Sequence, residues 1–572
     1  MPGRQQAGLE VLVGLSAPLE VLPAPAGQSL DRAANPALLE LPAVRSPTQP
    51  GRRARGTAPA PRSKLWRAIS KSPRPLLIIL GVQALLSLRL VWANTTFQDE
   101  ALYLWAGHVV WSHWLTGAQI PDFASYFSGA PVLYPPLAAI ADAYGGLAGA
   151  RLLSLAFMLG STVFLYGTAR RIFGTRVALF AAGLFVALAS VQFLGAFATY
   201  DAMALFLLAL AAWLGVRAVQ TSLAGQIFVF TLAGLTLALA DATKYASTLF
   251  DPVVIAIVVL AQRSGRKVFL AASVIITSTV LGVATGLLIG GPAYWHGITW
   301  TTLARSTGTT SPAGVLFASG KWIGAVIALA FIGATAASFS EGRRIKLLAW
   351  SLAIATILAP IEQARIHTIT SLFKHVGYGA WFGCIIAGYA LSALANVVAP
   401  MKIRTALRVS AATVLLTFVP GIILVSENFT AWPQSGAYVS AIASALRQTG
   451  DNDEPVLVDQ DSIPNYYLHN GLGTDNAYQT WYFAFTDPKT GQRITAPAEA
   501  YADAIRSQYF EIVALVYGSG GSTYDVQIRK DIMKYKDYRL IASIPYKTSA
   551  NSGRFLVWVR SSDSVLGDGG QK

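Results

Sequence analysis

The residues best suited to chemistry stand together in Thr95-Thr96-Phe97-Gln98-Asp99-Glu100-Ala101-Leu102-Tyr103, where two adjacent carboxylates follow the first long apolar run and precede an aromatic-rich, helix-like stretch. A charge at the centre of a spanning helix costs about 2.5–3.5 kcal/mol even on insertion scales, so a membrane protein keeps such groups where a site needs them. A positioned carboxylate acts as a general base, a role worth about 10²–10⁴ in rate. The same spacing also serves simple N-terminal capping of the helix that starts near Ala101, worth about 0.3–1 kcal/mol through the dipole. A second polar cluster, running from Gln363 to His375, holds Arg365, His367, Lys374 and His375 between two later apolar runs. It reads either as an anion grip or as a solvated loop that meets lipid headgroups.

The elements that must position these groups are apolar. Long apolar runs recur from Pro75 to Val425 in a chain of 572 residues that is 53% hydrophobic and 13% charged, which marks an integral membrane protein. The formal charge of +15 could suggest nucleic acid, but the Lys and Arg residues lie mainly in short loops and in the N-terminal tail, where they report topology. One cysteine, Cys384, lies in an apolar run, so neither an intramolecular disulfide nor a thiolate metal site is indicated. Residues 1–72 are rich in Ala, Pro, Arg and Gly and predict a disordered cytoplasmic tail without a signal peptide.

About eleven spans follow, near 75–92, 149–168, 177–195, 200–217, 225–241, 246–262, 268–290, 318–338, 347–361, 376–398 and 406–425. Alternation puts Arg170, Arg171, Arg176, Arg217, Arg263, Arg266, Lys267, Arg343, Arg344, Lys346, Lys402, Arg404 and Arg408 on the cytoplasmic side. The opposite loops are poorer in cations, which predicts a multi-pass plasma-membrane protein with a cytoplasmic N-terminus. Loop 94–148 is external in that topology and long; Tyr103, Trp105, Trp111, Trp114, Tyr126 and Tyr134 suit one or two interfacial helices or an ordinary aromatic belt. The membrane domain is thus 73–426.

After Ser426 the pattern becomes that of a soluble domain, 427–572, placed outside by the odd span count. Strand-like runs 455–458, 512–516, 540–544 and 555–559 alternate with helix-like segments near 436–448, 497–508 and 523–535, which predicts a small extracytoplasmic α/β domain ending in a frayed tail. Asp459-Gln460-Asp461 superficially matches the metal-binding acid-x-acid motif of nucleotide-sugar transferases, and a strand-end loop accounts for it better.

Four motifs recur in this order in a known family: Asp99-Glu100 after the first span, Ala150-Arg151-Leu152-Leu153-Ser154 opening the second, Arg170-Arg171-Ile172-Phe173-Gly174 closing it, and Ala198-Thr199-Tyr200-Asp201-Ala202 opening the fourth. The chain resembles the GT-C glycosyltransferases of family 39, the group of protein O-mannosyltransferases and lipid A aminoarabinose transferases. The resemblance covers about 75–300, weakens through 376–398, and omits the tail and the terminal domain. It implies a polytopic α-helical GT-C membrane protein that transfers a glycosyl unit, with inversion, from a polyprenyl-phosphate-linked sugar to a cell-envelope glycan, lipid or protein on the external face. The inserted trefoil-type domain of the eukaryotic mannosyltransferases is missing here.

That chemistry needs a base, cations for the leaving phosphate and a groove for lipid. The resemblance maps the base to Asp99. Glu100 shares the catalytic pair and could orient an arginine or the acceptor. Arg151, Lys244, Arg305, Arg365, Lys374 and His375 are the candidate phosphate-binding cations; Lys244 could instead pair with Asp241 or snorkel. Tyr200 and Asp201 are acceptor-side or structural residues, with Asp201 paired to Arg151 in one version. No metal or other cofactor is required, although a divalent cation at Glu100 or His296 is an alternative. The rival functions are a transporter or lipid flippase, whose polar groups would gather at the midplane on broken helices, and an envelope-assembly scaffold.

Overall fold

Lipid offers backbone polar groups no partners, so uninterrupted apolar runs must satisfy themselves as helices. The computed structural model describes residues 73–561, apart from 219–221, 263, 399–402, 450–453, 470, 473–475, 481–482, 488 and 519–522. The expectations of an N-terminal tail over 1–72 and a frayed end over 563–572 lie outside the described residues. Among the described residues eight helices are long and apolar enough to cross a membrane, and three shorter apolar helices accompany them.

The membrane domain runs α1 (Arg74–Val91), α2 (Gln98–Thr116), α3 (Tyr134–Phe173), α4 (Thr175–Ala187), α5 (Ala189–Leu194), α6 (Tyr200–Ala218), α7 (Leu223–Thr243), α8 (Asp251–Ala261), α9 (Gly265–Ile298), α10 (Pro312–Ser340), α11 (Arg343–Arg365), α12 (Leu372–Val398) and α13 (Ile403–Phe429). Three spans differ from their sequence outlines. The second begins earlier, at Tyr134, because Pro135 and Pro136 suit a first helical turn, and it bends at Gly146, whose φ of 59° is open to glycine. The third breaks at Leu188, which is extended (ψ 138°), and resumes as α5. The sixth is split into a 3₁₀ turn, Tyr245–Phe250, followed by α8 with Pro252 in its first turn. Helix α12 lies at the centre, packed on α4, α10 and α11.

The terminal region is α/β. Helix α14 (Gly436–Thr449) is followed by β1 (Val456–Val458), α15 (Ser462–Tyr467), β2 (Ala477–Gln479), a small hairpin of β3 (Phe485–Thr486) and β4 (Arg493–Ile494), then α16 (Pro497–Arg506), β5 (Ile512–Gly518), α17 (Thr523–Tyr535), β6 (Tyr538–Lys547) and β7 (Ser552–Arg560). The sheet order is β2-β1-β5-β7-β6, with β1 parallel to β2 and β5 and with β7 antiparallel to β5 and β6. Alternation along β5 divides the core: Val513 and Leu515 pack with Tyr501, Phe510 and Trp558, while Ala514 and Val516 pack with Tyr438, Ile442 and Phe555. Helix α15 and the hairpin lack a clear sequence period and were not anticipated.

This region docks on the segment that carries the acids. Trp432 Nε1 donates to the Thr95 carbonyl (3.0 Å), the Thr96 N–H donates to Tyr467 Oη (3.0 Å), and Tyr466 Oη donates to Asp142 Oδ1 (2.6 Å).

Candidate active site

The first half of the site is a clasp that sets the backbone. Arg151, fully buried on α3, donates through Nε and Nη2 to the two carboxylate oxygens of Glu100 at 2.8 and 2.6 Å. Its remaining N–H groups reach the carbonyls of Val91 (2.8 Å), Asn94 (3.0 Å) and Thr95 (3.3 Å). Glu100 in turn accepts from the N–H groups of Phe97 (3.2 Å) and Ala198 (2.8 Å). Such a bidentate pair repays its burial only when every lone pair and proton is used, as happens here. Glu100 thus orients an arginine, one of the two roles its sequence position suggested, while the N–H groups of Arg151, expected to grip a phosphate, are taken up by Glu100 and by backbone carbonyls. The pairing of Arg151 with Asp201 does not occur.

The clasp presents two carboxylates from different helices. Asp99 stands in the first turn of α2, and the loop held by Ala198 delivers Tyr200 and Asp201 into the first turn of α6. Lys374, in the first turn of α12, places Nζ 2.6 Å from Asp99 Oδ2 and 3.9 Å from Asp201 Oδ2. Lys244 closes the series, with Nζ 4.0 Å from Asp201 Oδ1 and 4.7 Å from the centre of the Tyr200 ring. Two acids and two ammonium groups, all buried, thus form one balanced cluster, as buried charge demands. Asp201 is further held by Thr199 Oγ1 (2.7 Å) and Tyr378 Oη (3.3 Å).

Lys244 reaches the cluster because the loop after α2 docks beneath it. The Ala130 N–H donates to the Ala242 carbonyl (2.7 Å) and the Tyr245 N–H to the Ser128 carbonyl (3.0 Å). A side chain at Gly129 would put Cβ 2.0 Å from the Thr243 carbonyl oxygen, so only glycine permits this approach. Ser128 Oγ then accepts from Lys244 Nζ (3.0 Å) and shares a hydrogen bond with Tyr200 Oη (2.5 Å). Lys244 neither snorkels nor pairs with Asp241, which instead accepts from Ser247 Oγ.

Beside Lys244 lies a cavity of about 70 Å³ lined by Ser128, Lys244, Arg305, Gln363, His375 and Tyr378 among others. Gln363 Nε2 and His375 Nδ1 are 2.6 Å apart, while Gln363 Oε1 and His375 Nε2 are buried with no partner. Unpaired buried polar atoms are costly, and two on one cavity wall mark a place for a polar ligand. Arg365 lies outside this group; it is exposed and pairs with Glu362 at 2.6 Å. Of the residues singled out in the sequence, the fold therefore gathers Asp99, Lys374, Asp201, Tyr200, Lys244, His375 and Arg305, and it sets Glu100 and Arg151 behind them.

Ser128 and Tyr378 carry no sequence signal and reach the site through tertiary packing, whereas Gln363 opens the polar cluster that ends at His375 and Thr199 stands two residues before Asp201 in the motif that carries it. Among the described residues no three His, Cys, Asp or Glu side chains converge as a metal site. His296 Nδ1 is 3.0 Å from the Ser125 carbonyl, apart from Glu100.

Residues 138–289 match the family model described as dolichyl-phosphate-mannose-protein mannosyltransferase. These residues lie within the membrane domain. The fold of the chain is similar to that of ArnT from Cupriavidus metallidurans in the apo state, with a TM-score of 0.55 at 14% identity, covering 84% of this chain and 97% of that one. ArnT bound to undecaprenyl phosphate gives a TM-score of 0.54 at 15% identity over 89% of this chain and 100% of that one. The Archaeoglobus fulgidus oligosaccharyltransferase AglB, in complex with an inhibitory peptide and a dolichol-phosphate, gives 0.55 at 11% identity over 86% and 89%. No curated protein sequence matches the chain. In this membrane domain Asp99 and Asp201 sit at helix starts, away from the middle of any span.

Proposed function

We propose that the protein moves a glycosyl unit from a polyprenyl-phosphate-linked sugar to a cell-envelope acceptor on the extracytoplasmic side of the plasma membrane, with Asp99 as base. The single observation that carries this reading is the series Asp99–Lys374–Asp201–Lys244, which leads from a buried carboxylate to a cation-lined cavity. The matched family's description and the undecaprenyl phosphate held by ArnT support a lipid-phosphate donor. The cation bias of the loops supports the orientation.

In this scheme the donor phosphate enters the cavity against Lys244, Arg305 and His375, whose unpaired Nε2 can donate a hydrogen bond in the matching tautomer. A phosphate beside the cluster competes for Lys374 and frees the Asp99 carboxylate. The acceptor hydroxyl gives its proton to Asp99 while its oxygen bonds to the anomeric carbon from the face opposite the phosphate. The bond from that carbon to the phosphate oxygen breaks, and the electron pair leaves with the polyprenyl phosphate, where the cations stabilise it. Asp201 acts as a positioning residue that holds both lysines.

The test is release of polyprenyl phosphate from a panel of polyprenyl-phosphate sugars by the purified protein. Turnover by the wild type that is lost in Asp99→Asn, with donor binding retained, is the expected result. No release across the panel, or normal turnover by Asp99→Asn, would remove the reading.

A further inference from the structure

A second cavity, of about 310 Å³, opens between the two parts of the chain, at the lower end of the range of small-molecule sites. One wall is α2, through Trp105, His108, Val109 and Ser112; the other is α15 and the turn after it, through Asn465, Tyr466 and His469. Asn465 is 1% exposed, and neither its Nδ2 nor its Oδ1 has a partner. A carboxamide that has lost water and found no replacement is a binding group in waiting, since native proteins pair nearly all such atoms.

The lining says what it would bind. Asp142 is already engaged by His108 Nε2 (2.7 Å) and by Tyr466 Oη (2.6 Å), and no Lys, Arg, Asp or Glu is among the described lining residues, so the wall offers no permanent charge to a phosphate or an ammonium group. A carboxamide offers a donor and an acceptor side by side, which matches neighbouring hydroxyls that each donate and accept. Trp105, Val109 and Tyr466 supply apolar surface for the C–H face of a sugar ring.

We propose that this cavity is a carbohydrate-binding site that holds a non-reacting sugar of a glycan acceptor. The assignment of its occupant to the acceptor rests on the transfer reading above. Helix α2 carries both this wall and Asp99; at about 1.5 Å rise per residue, Trp105 to Ser112 lie about 9–20 Å along the axis from Asp99, a span that a short oligosaccharide bridges. Binding energy gained here would be spent on orienting the hydroxyl that reacts.

The experiment is saturation-transfer NMR with the methyl glycosides of mannose, galactose and arabinose, on the full chain in detergent. Four proteins are compared: wild type, Asp99→Asn, Asn465→Leu and Ser112→Trp, the last placing bulk at an exposed position on the rim. Wild type and Asp99→Asn should bind at least one glycoside, while Asn465→Leu and Ser112→Trp weaken it by about tenfold or more. A merely structural role for Asn465 predicts the opposite pattern, with the stability of Asn465→Leu altered and glycoside binding by the folded protein unchanged. No glycoside bound by the wild type, or equal binding by all four proteins, overturns the site. If Asn465→Leu does not fold, Ser112→Trp decides alone. Glycoside binding without any turnover of polyprenyl-phosphate sugars would instead sink the transfer reading and leave the carbohydrate site standing.

Discussion

Lys374 Nζ lies 2.6 Å from Asp99 Oδ2 and 3.9 Å from Asp201 Oδ2, so one ammonium group balances carboxylates that come from two different helices. Its removal leaves a buried acid unpaired. Lys374→Met should cost about 3–5 kcal/mol of stability as well as activity, whereas Asp99→Asn, which keeps a hydrogen-bond acceptor for Lys374, should fold and lose about 10²–10⁴ in kcat. Thermal unfolding and single-turnover release of polyprenyl phosphate separate the two. Equal loss of stability in both variants would contradict the assignment.

The adjacent acids should behave differently despite their contiguity. Glu100→Gln weakens the clasp on Arg151, and Arg151→Met strands Glu100, at a cost of about 3–5 kcal/mol for the stranded charge. Both should lower the yield of folded protein, and any Glu100→Gln protein that folds should retain donor binding. Comparing monodisperse yield with donor affinity tests this; a well-folded Glu100→Gln protein with the catalytic defect of Asp99→Asn would return Glu100 to the chemistry.

Gly129→Ala should act on the site through backbone. The added Cβ would meet the Thr243 carbonyl, pushing Ser128 away from Lys244 and Tyr200, with an overpacking cost of about 1–3 kcal/mol. Donor affinity should fall more than global stability, and titration of undecaprenyl phosphate onto the variant measures it. Unchanged affinity would show that Ser128 does not set the position of Lys244.

The terminal domain should respond to pH. Burial raises the Asp459 carboxyl to about 7 and the Asp461 carboxyl to about 6. A carboxyl whose pKa is higher in the folded state favours folding while protonated: the stabilisation is complete below the ordinary value near 4 and is lost as pH rises through about 6 to 7. Hydrogen exchange around β1, corrected for intrinsic rate, should therefore quicken between about pH 4 and pH 7. Asp459→Asn, whose amide oxygen can still accept from Thr480 Oγ1, should flatten the dependence. A flat wild-type profile would remove the effect.

The apolar helices and the main strands were legible because length and hydropathy dictate them. Span breaks at Leu188 and Tyr245 were not, since they depend on what packs against each turn. Asp99, Lys374 and Lys244 stood out as charges at the ends of apolar runs, where placement is costly unless used. The partnership of Glu100 with Arg151 was legible only in part: Glu100 stood out as able to orient an arginine, but the two are 51 positions apart, and residue type alone does not tell a binding arginine from one spent on carbonyls. Ser128 and Tyr378 are ordinary polar residues that matter only through where the chain folds back. Asp459 and Asp461 do follow a strand, and both are buried there among hydrogen-bond donors that include Thr480 and Gln479.

The guanidinium of Arg151 ties the carbonyls of Val91, Asn94 and Thr95, at and just past the end of the first span, to a helix from the second, and through Glu100 to the amide of Ala198. The segments that present Asp99 and Asp201 are thereby joined as one rigid body. Adjustment to a substrate must then come from the opposing wall, where Lys374 follows a turn whose His367 and Ser371 hold left-handed backbone angles of 54° and 60°. In the proposed reaction Asp99 keeps its place, and Lys374 does the moving.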